Sequence, residues 1–214
     1  MPLIKICGLR RYEDICYANE FFPDYVGFVF SKSRRQVAKE FARELGCILD
    51  PKIKKVGVFV NEQPEEVINI AEFCSLDCIQ LHGDETNDYI RDLKNLVQKR
   101  SLNLEIWKSF KIKNTESLKE LESFEFKDID GILLDTFVEG SYGGTGKSFD
   151  WNIARQARKF GKIILAGGLN SENIIEAIKQ ADPMVVDVSS GVETNGFKDR
   201  EKIKAFINSI KCLK

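Results

Sequence analysis

Residues 163–170 read IILAGGLN, which is the pattern of one strand-to-helix unit. The four apolar residues are typical of a buried strand, and the two glycines suit a tight turn. Asn170 and Ser171 can cap a helix, which the apolar spacing over residues 172–180 predicts. The same order of elements recurs along the chain, and that recurrence decides the fold.

Seven further apolar runs predict strands, at residues 3–6, 25–30, 56–60, 79–81, 104–110, 132–134 and 184–188. Helical spacing predicts helices at residues 12–22, 37–45, 65–74, 87–99, 116–124, 151–160 and 199–210, with Gly46 as the C-cap of the second. Eight alternating units predict an α/β fold, a single (β/α)₈ TIM barrel over residues 1–214. A doubly wound sheet is the alternative, since alternation alone does not close a barrel. No Gly-x-Gly-x-x-Gly follows the first strand, which disfavours a dinucleotide-binding sheet.

The composition of the chain argues against nucleic acid and membrane partners. The chain has 214 residues, with 32 Lys and Arg against 33 Asp and Glu. This balance provides no basic surface for nucleic acid or an anionic membrane. No apolar run approaches the roughly 20 residues that span a bilayer, and the N-terminus lacks the pattern of a signal peptide. We therefore expect a cytoplasmic protein without a nucleic acid or membrane partner.

The cysteines favour a reducing compartment. They stand at positions 7, 16, 47, 74, 78 and 212, without the paired short spacing of a zinc site, and there is one histidine. We expect no metal, and five of the six are predicted to be small buried residues. Cys7 differs because it comes at the end of the first strand.

Late glycine-containing loops predict a phosphate site. Its candidate residues are Gly146 after the sixth strand, Gly167 and Gly168 after the seventh, and Ser189, Ser190 and Gly191 after the eighth. Glycines let backbone N–H groups approach an anion, and the last two loops of such barrels commonly bind phosphate. Tight turns are the alternative. The Gly-Lys-Ser ending of loop 143–147 lacks the Walker spacing, since Ser141 stands where a glycine is required, so we predict a loop that closes over substrate.

Other strand ends carry groups for proton transfer and binding. Cys7 ends strand one and can act as a base or nucleophile if cationic neighbours lower its pKa. Asp135 ends strand six and can donate a proton if burial raises its pKa. Arg35 is predicted to bind a substrate carboxylate, with Arg34 as the alternative. Three more side chains are predicted to bind substrate at the same mouth: Gln80, His82 and Asp187.

Together these residues resemble the phosphoribosylanthranilate isomerase family. The matching stretches are KICGL at 5–9, GFVF at 27–30, KSRR at 32–35, VGVFVN at 56–61, QLHGD at 80–84, LLDT at 133–136, GGTGKSFDW at 143–151, LAGGLN at 165–170 and VDVSSGVE at 186–193. Each stretch alone is weak, but their order and spacing are specific and extend from residue 3 to beyond residue 200. The loop at 31–35 departs from the family by lacking its usual proline and aromatic residue, and Arg10 stands where the family usually has Thr.

The resemblance implies a TIM barrel that carries out an Amadori rearrangement in tryptophan biosynthesis without a cofactor. It implies Asp135 as the general acid that opens the furanose ring and Cys7 as the base that removes the proton from C2. It also implies Arg35 at the anthranilate carboxylate and the last two loops at the phosphate. The partner is then a small phosphosugar, and we expect a monomer, with a homodimer as the alternative.

Two competing functions remain. One is the histidine-pathway isomerase reaction, which uses paired aspartates, and Cys7 in place of a carboxylate argues against it. The other is a phosphosugar-binding barrel without activity, which the presence of both Cys7 and Asp135 disfavours.

Overall fold

The structure, a computed structural model, describes residues 1–112, 114–135 and 151–213. Its main feature is a closed barrel in which each strand pairs in parallel with the next and β8 pairs with β1. The strands are β1 Leu3–Cys7, β2 Tyr25–Val29, β3 Lys54–Phe59, β4 Cys78–Leu81, β5 Glu105–Lys111, β6 Gly131–Asp135, β7 Ile163–Ala166 and β8 Val185–Val188. Closure confirms the TIM barrel and excludes the open doubly wound sheet.

Helices follow the strands in strict alternation. They are α1 Tyr12–Phe21, α2 Lys39–Cys47, α3 Pro64–Phe73, α4 Asn87–Lys99, α5 Ser117–Glu122, α6 Asn152–Gln156, α7 Ile174–Ala181 and α8 Arg200–Lys211. A 3₁₀ segment, Ala157–Phe160, extends α6, and a second, Ser190–Val192, follows β8. A hairpin of β9 Glu193–Thr194 and β10 Phe197–Lys198 precedes α8 and was not predicted from the sequence.

The base of the barrel is filled by side chains. Alternate strand residues point inward and form an apolar cluster of Tyr25, Val56, Cys78, Trp107, Leu133, Ile164, Ala166 and Val185. The Tyr25 and Trp107 rings meet edge to face with centroids 5.0 Å apart. Gly131 makes room for this packing, since a Cβ there would lie 2.9 Å from Trp107 Cδ1. The interior is thus a packed core, and polar chemistry is confined to its upper layers and to the mouth at the carboxyl ends of the strands.

Two local predictions were wrong. Helix α2 continues through Gly46 to Cys47, and Ile48 is its C-cap. A glycine in the last turn costs only about 1 kcal/mol relative to alanine, so it does not force the helix to end. Cys16 in α1, Cys47 at the end of α2 and Cys212 after α8 are exposed, so the prediction that they are buried was wrong, while Cys7, Cys74 and Cys78 are buried.

The described residues contain neither a membrane-spanning helix nor a cluster of metal ligands. Among residues 1–112, 114–135 and 151–213, no helix has the length and apolar composition to cross a membrane. Across those ranges, His, Cys, Asp and Glu side chains form no group of three or more that could hold a metal ion.

Candidate active site

The closed parallel barrel brings distant parts of the chain to one mouth. Cys7 is the last residue of β1, Asp135 is the last residue of β6, and Ser189 directly follows β8. The strands of Cys7 and Asp135 are separated by β7 and β8, so their side chains approach the mouth from different sides. Gly146 and Thr136, and the loop predicted to close over substrate, lie outside the described residues.

Cys7 is the most enclosed of the candidate reactive groups. A Cβ on Gly27 would lie 2.7 Å from Cys7 Sγ, so the thiol occupies space that a glycine of β2 leaves open. Ser189 Oγ donates a hydrogen bond of 3.0 Å to the Cys7 carbonyl and ties the end of β1 to the β8 loop. Burial raises the pKa of the Cys7 thiol, while the charges of Lys5 and Lys198 lower it, and burial prevails. Cationic neighbours are present, as the sequence suggested, yet they do not bring the pKa below its usual value.

Directly beneath Cys7 lies a buried ion pair. Lys5 Nζ is 2.8 Å from Asp187 Oδ2, and the two residues are neighbours in the register of β1 and β8. Burial would lower the pKa of Lys5, but the charge of Asp187 and the contact with Cys7 raise it above its usual value. Asp187 was predicted to bind substrate; its side chain is 7% exposed and faces Lys5.

Gln80 and His82 connect the barrel interior to Asp135. Gln80 Nε2 lies 3.1 Å from His82 Nδ1, and His82 Nε2 lies 3.7 Å from Asp135 Oδ2. With the amide donating to Nδ1, the imidazole carries its proton on Nε2, which faces the carboxylate. Of the three side chains predicted to bind substrate, His82 therefore approaches the predicted acid, and Gln80 contacts His82.

Arg35 is held by a carboxylate that the sequence analysis did not assign to the site. Its Nε and Nη2 donate to the two oxygens of Glu193 at 2.7 and 2.9 Å. Gly8 makes this reach possible, because a Cβ there would lie 2.5 Å from Arg35 Cδ. Lys198 Nζ donates to the same carboxylate at 2.8 Å. Arg34 is different, since its side chain is 65% exposed and lies 3.7 Å from Glu193.

The loops after β7 and β8 have the conformation that their glycines permit. Gly167 and Gly168 have φ of +91° and +66°, a region that other residues rarely adopt. Gly191 lies so close to the β7 loop that a Cβ would come within 1.9 Å of the Leu169 carbonyl. Among the described residues, the amides of Gly168, Ser190 and Gly191 have no hydrogen-bond acceptor. Two adjoining loops with unpaired N–H groups are suited to bind an anion.

Asn170 and Asn173 fix the β7 loop. Asn170 Oδ1 accepts from the amides of Glu172 and Asn173, and Asn173 Oδ1 accepts from the Asn170 amide at 2.9 Å. Asn173 Nδ2 also donates to the Gly168 carbonyl at 2.9 Å. The prediction that Asn170 caps the helix was wrong, because α7 begins at Ile174 with Asn173 at its N-cap and no side-chain cap, and Asn170 instead holds the glycine turn before the helix.

A second buried ion pair supports the β4 loop. Glu85 accepts from the amides of Asn61 and Gly83 and lies 3.1 Å from Lys108 Nζ. Lys108 also donates to the carbonyls of Gly83 and Ser109, at 2.7 and 3.0 Å. The pair borders a cavity of about 380 Å³ that His82 also lines.

Sequence reasoning missed Glu193 and Lys198 as parts of the site, and Glu85 and Lys108 as its support. For the first pair a signal was available, since Asn195-Gly196 is typical of a two-residue hairpin turn. Both turn residues have positive φ, 53° and 79°, and the turn brings Lys198 back to Glu193. The second pair has no comparable signal, because 23 residues separate its members in the sequence.

Comparison with known proteins gives one consistent family. The sequence model of N-(5′-phosphoribosyl)anthranilate (PRA) isomerase matches residues 4–209. The N-(5′-phosphoribosyl)anthranilate isomerase of Acetivibrio thermocellus is 53% identical over 213 residues, which cover 99% of this chain and 96% of that protein. That of Thermoanaerobacter pseudethanolicus is 49% identical, with both chains covered in full at 100%.

Solved structures agree with these relatives. The phosphoribosyl anthranilate isomerase of Thermotoga maritima superimposes with a TM-score of 0.86 at 38% identity over 100% of both chains. Another solved enzyme of this name, in complex with reduced 1-(o-carboxyphenylamino)-1-deoxyribulose 5-phosphate, has a TM-score of 0.84 at 36% identity, again over 100% of both chains. Because the family model spans nearly the whole chain and the relatives align from end to end, the chain belongs to the PRA isomerase family.

Proposed function

We propose that this chain converts N-(5-phosphoribosyl)anthranilate to 1-(2-carboxyphenylamino)-1-deoxyribulose 5-phosphate, a step of tryptophan biosynthesis. The observation that carries the proposal is the position of Cys7 and Asp135 at the ends of β1 and β6, on one barrel mouth, in a member of the PRA isomerase family. Both are proposed to act in proton transfer.

In the first step, the Asp135 carboxyl donates its proton to the furanose ring oxygen. The C1–O bond breaks as the anthranilate nitrogen lone pair forms a C1=N bond, and the ring oxygen becomes a hydroxyl. His82 Nε2 lies 3.7 Å from the Asp135 carboxylate, and this approach is proposed to orient the acid at the mouth. The substrate nitrogen provides the electron sink, so the reaction requires no cofactor.

In the second step, the Cys7 thiolate removes the proton from C2. The electrons of that C–H bond form C1=C2, and the C1=N electrons return to nitrogen, which gives an enolamine. The enolamine becomes the ketone when the C2 hydroxyl loses its proton and C1 gains one. The buried setting of Cys7 favours a neutral thiol at rest, so the cations around it matter for forming the thiolate.

Arg35, rather than Arg34, is proposed to bind the anthranilate carboxylate. Glu193 occupies the Nε and Nη2 edge of the guanidinium, and Nη1 has no acceptor among the described residues. The remaining edge, formed by Nη1 and Nη2, can therefore donate two parallel hydrogen bonds to a second carboxylate. Arg34 is mostly exposed and has no such support.

The phosphate is proposed to bind where the β7 and β8 loops meet. Gly167, Gly168, Ser189, Ser190 and Gly191 contribute this region, and three of its amides are unpaired among the described residues. Gly146 stays a predicted contributor. Gln80 and His82 are proposed to contact the sugar.

Substitution of the acid and the base tests the function. Cys7→Ser and Asp135→Asn should each lower kcat for freshly made N-(5-phosphoribosyl)anthranilate by about 10²- to 10⁴-fold, the usual contribution of general acid–base catalysis. Substrate consumption followed by fluorescence measures this loss. Cys16→Ser is the matched control, since that thiol is exposed on α1 and should leave turnover unchanged. Near-normal turnover in Cys7→Ser or Asp135→Asn would remove that residue from the mechanism.

The cellular setting and assembly are also proposals. All six cysteines are free thiols, which is consistent with a cytoplasmic enzyme.

The protein is proposed to be a monomer, with a homodimer as the alternative. Sedimentation measures the mass of the particle in solution and distinguishes the two.

A further inference from the structure

The barrel interior beneath Cys7 holds two charges that the proposed reaction does not use. Lys5 has no exposed surface and Asp187 is 7% exposed, and their charged groups are 2.8 Å apart. Tyr25, the register partner of Lys5 on β2, belongs to the apolar cluster of the barrel interior. A buried charged pair beside such a core requires an explanation.

A gain in stability does not explain the buried Lys5–Asp187 pair. Replacing a buried ion pair by apolar residues of similar volume is often neutral or stabilising, since both charges must be removed from water. Here the pair is also incompletely satisfied, because Asp187 Oδ1 is buried without a hydrogen-bond partner among the described residues. An unsatisfied buried acceptor costs about 1–3 kcal/mol.

The geometry connects the pair to the thiol. Lys5 and Cys7 are two positions apart on β1, so both side chains point into the barrel, whereas Ile4 and Ile6 pack outward with the helices. Lys5 Nζ donates to Asp187 at 2.8 Å, and its charge acts on Cys7, the group that must become an anion. The charge and hydrogen bond of Lys5 lower the pKa of Cys7, and the charge of Asp187 raises it.

We propose that Lys5 and Asp187 are positioning residues that control how readily the Cys7 thiol releases its proton. Lys5 provides the counter-charge for the thiolate, and Asp187 holds the Lys5 ammonium in place while competing with the thiolate for it. The importance of this control for turnover rests on the proposed role of Cys7 as the base.

Other charged groups face Cys7 from neighbouring elements. Lys198 on β10 and Arg35 after β2 both interact with its charge. Both of these cations are already bound to the Glu193 carboxylate. Lys5 is the cation on the same strand as Cys7, and its carboxylate partner has one oxygen still unsatisfied.

Alkylation of Cys7 as a function of pH tests the proposal without using activity. Iodoacetamide reacts with the thiolate, and mass spectrometry of the Cys7 peptide separates this cysteine from the other five. Lys5→Met should move the midpoint of the Cys7 rate profile to higher pH, and Asp187→Asn should move it to lower pH. A shift of one pH unit corresponds to about a tenfold change in rate below the midpoint. The ascending limb of the kcat/KM profile should move in the same two directions.

Two further variants make the test decisive. Lys5→Met/Asp187→Asn removes both charges, so it should fold even if a single variant does not, and its midpoint should lie above that of the parent. Lys108→Met removes another buried lysine that has no contact with Cys7, and it should leave the midpoint unchanged. Shifts of the two single variants in the same direction, or an unshifted double variant, would overturn the proposal. If the midpoints move as expected while Cys7→Ser retains turnover, the pair acts on the thiol and the assignment of the base fails instead.

Discussion

Two buried lysine–carboxylate pairs in the same barrel differ in how completely they are satisfied. Around Lys108 and Glu85, the carboxylate accepts from two backbone amides and the ammonium donates to two backbone carbonyls as well as facing its partner. Around Lys5 and Asp187, one carboxylate oxygen has no partner among the described residues, and Lys5 faces the thiol of Cys7. The first arrangement fixes backbone, and the second leaves charge available to a reacting group.

The two pairs lie on opposite sides of the mouth and differ in role. The Lys108–Glu85 pair supports the backbone, and the Lys5–Asp187 pair acts on a reacting group. A fully satisfied polar network rigidifies its surroundings, and here it holds the loop that carries His82. An incompletely satisfied pair leaves the local field available to a neighbouring titration. The pair at β4 and β5 should therefore dominate stability, and the pair at β1 and β8 should dominate the protonation of Cys7.

The largest expected effect comes from breaking the satisfied pair. Glu85→Ala leaves Lys108 as an uncompensated buried charge and removes the acceptor of two amides. We expect a loss of about 3–5 kcal/mol in the free energy of unfolding, measured by urea denaturation. Asp84→Ala is the matched control, because Asp84 is the exposed neighbour, and it should change stability by less than about 0.5 kcal/mol. Equal losses in the two variants would mean that the network is not the source of stability.

A third buried carboxylate, Glu193, extends the comparison to binding. It fixes one edge of Arg35 and leaves the other edge for substrate. Arg35→Lys cannot reproduce two parallel hydrogen bonds on each side, so KM for N-(5-phosphoribosyl)anthranilate should rise about tenfold or more. Arg34→Lys should leave KM within about twofold, since an exposed charge contributes little. A larger rise of KM in the Arg34 variant than in the Arg35 variant would mean that Arg34 binds the substrate carboxylate.

The fold was predictable because both faces of each barrel strand are buried. Such strands appear as apolar runs, and the predicted strands agree with the structure to within about two residues. Helix α4 was predicted with its observed bounds from its apolar spacing, and in the structure Thr86 caps its start by accepting from the Tyr89 amide. The strand ends then placed Cys7 and Asp135 on one mouth from the order of elements alone.

The charge pairs were not predictable in the same way. In the sequence, Lys5 is a charged residue within the apolar run at 3–6, and its partner Asp187 follows 182 residues later. Only barrel closure, which pairs β1 with β8, makes them neighbours. For the same reason the sequence could suggest that Asp187 is functional, but not that its side chain would face a lysine beneath the thiol.

The pH dependence of stability gives the finest distinction between the two pairs. Burial lowers the pKa of Lys108 below 10.5 despite Glu85, so the unfolded chain binds that proton more tightly and stability should rise as pH approaches 10.5. The pKa of Lys5 is raised above 10.5, because Asp187 and Cys7 outweigh its burial. The contribution of Lys5 to the free energy of unfolding is therefore present below pH 10.5 and is lost as the pH rises above that value. Lys108→Met should therefore remove an upward slope of unfolding free energy below pH 10.5, and Lys5→Met a downward slope above it. Urea denaturation at a series of pH values measures both slopes, and parallel changes in the two variants would contradict the distinction between the pairs.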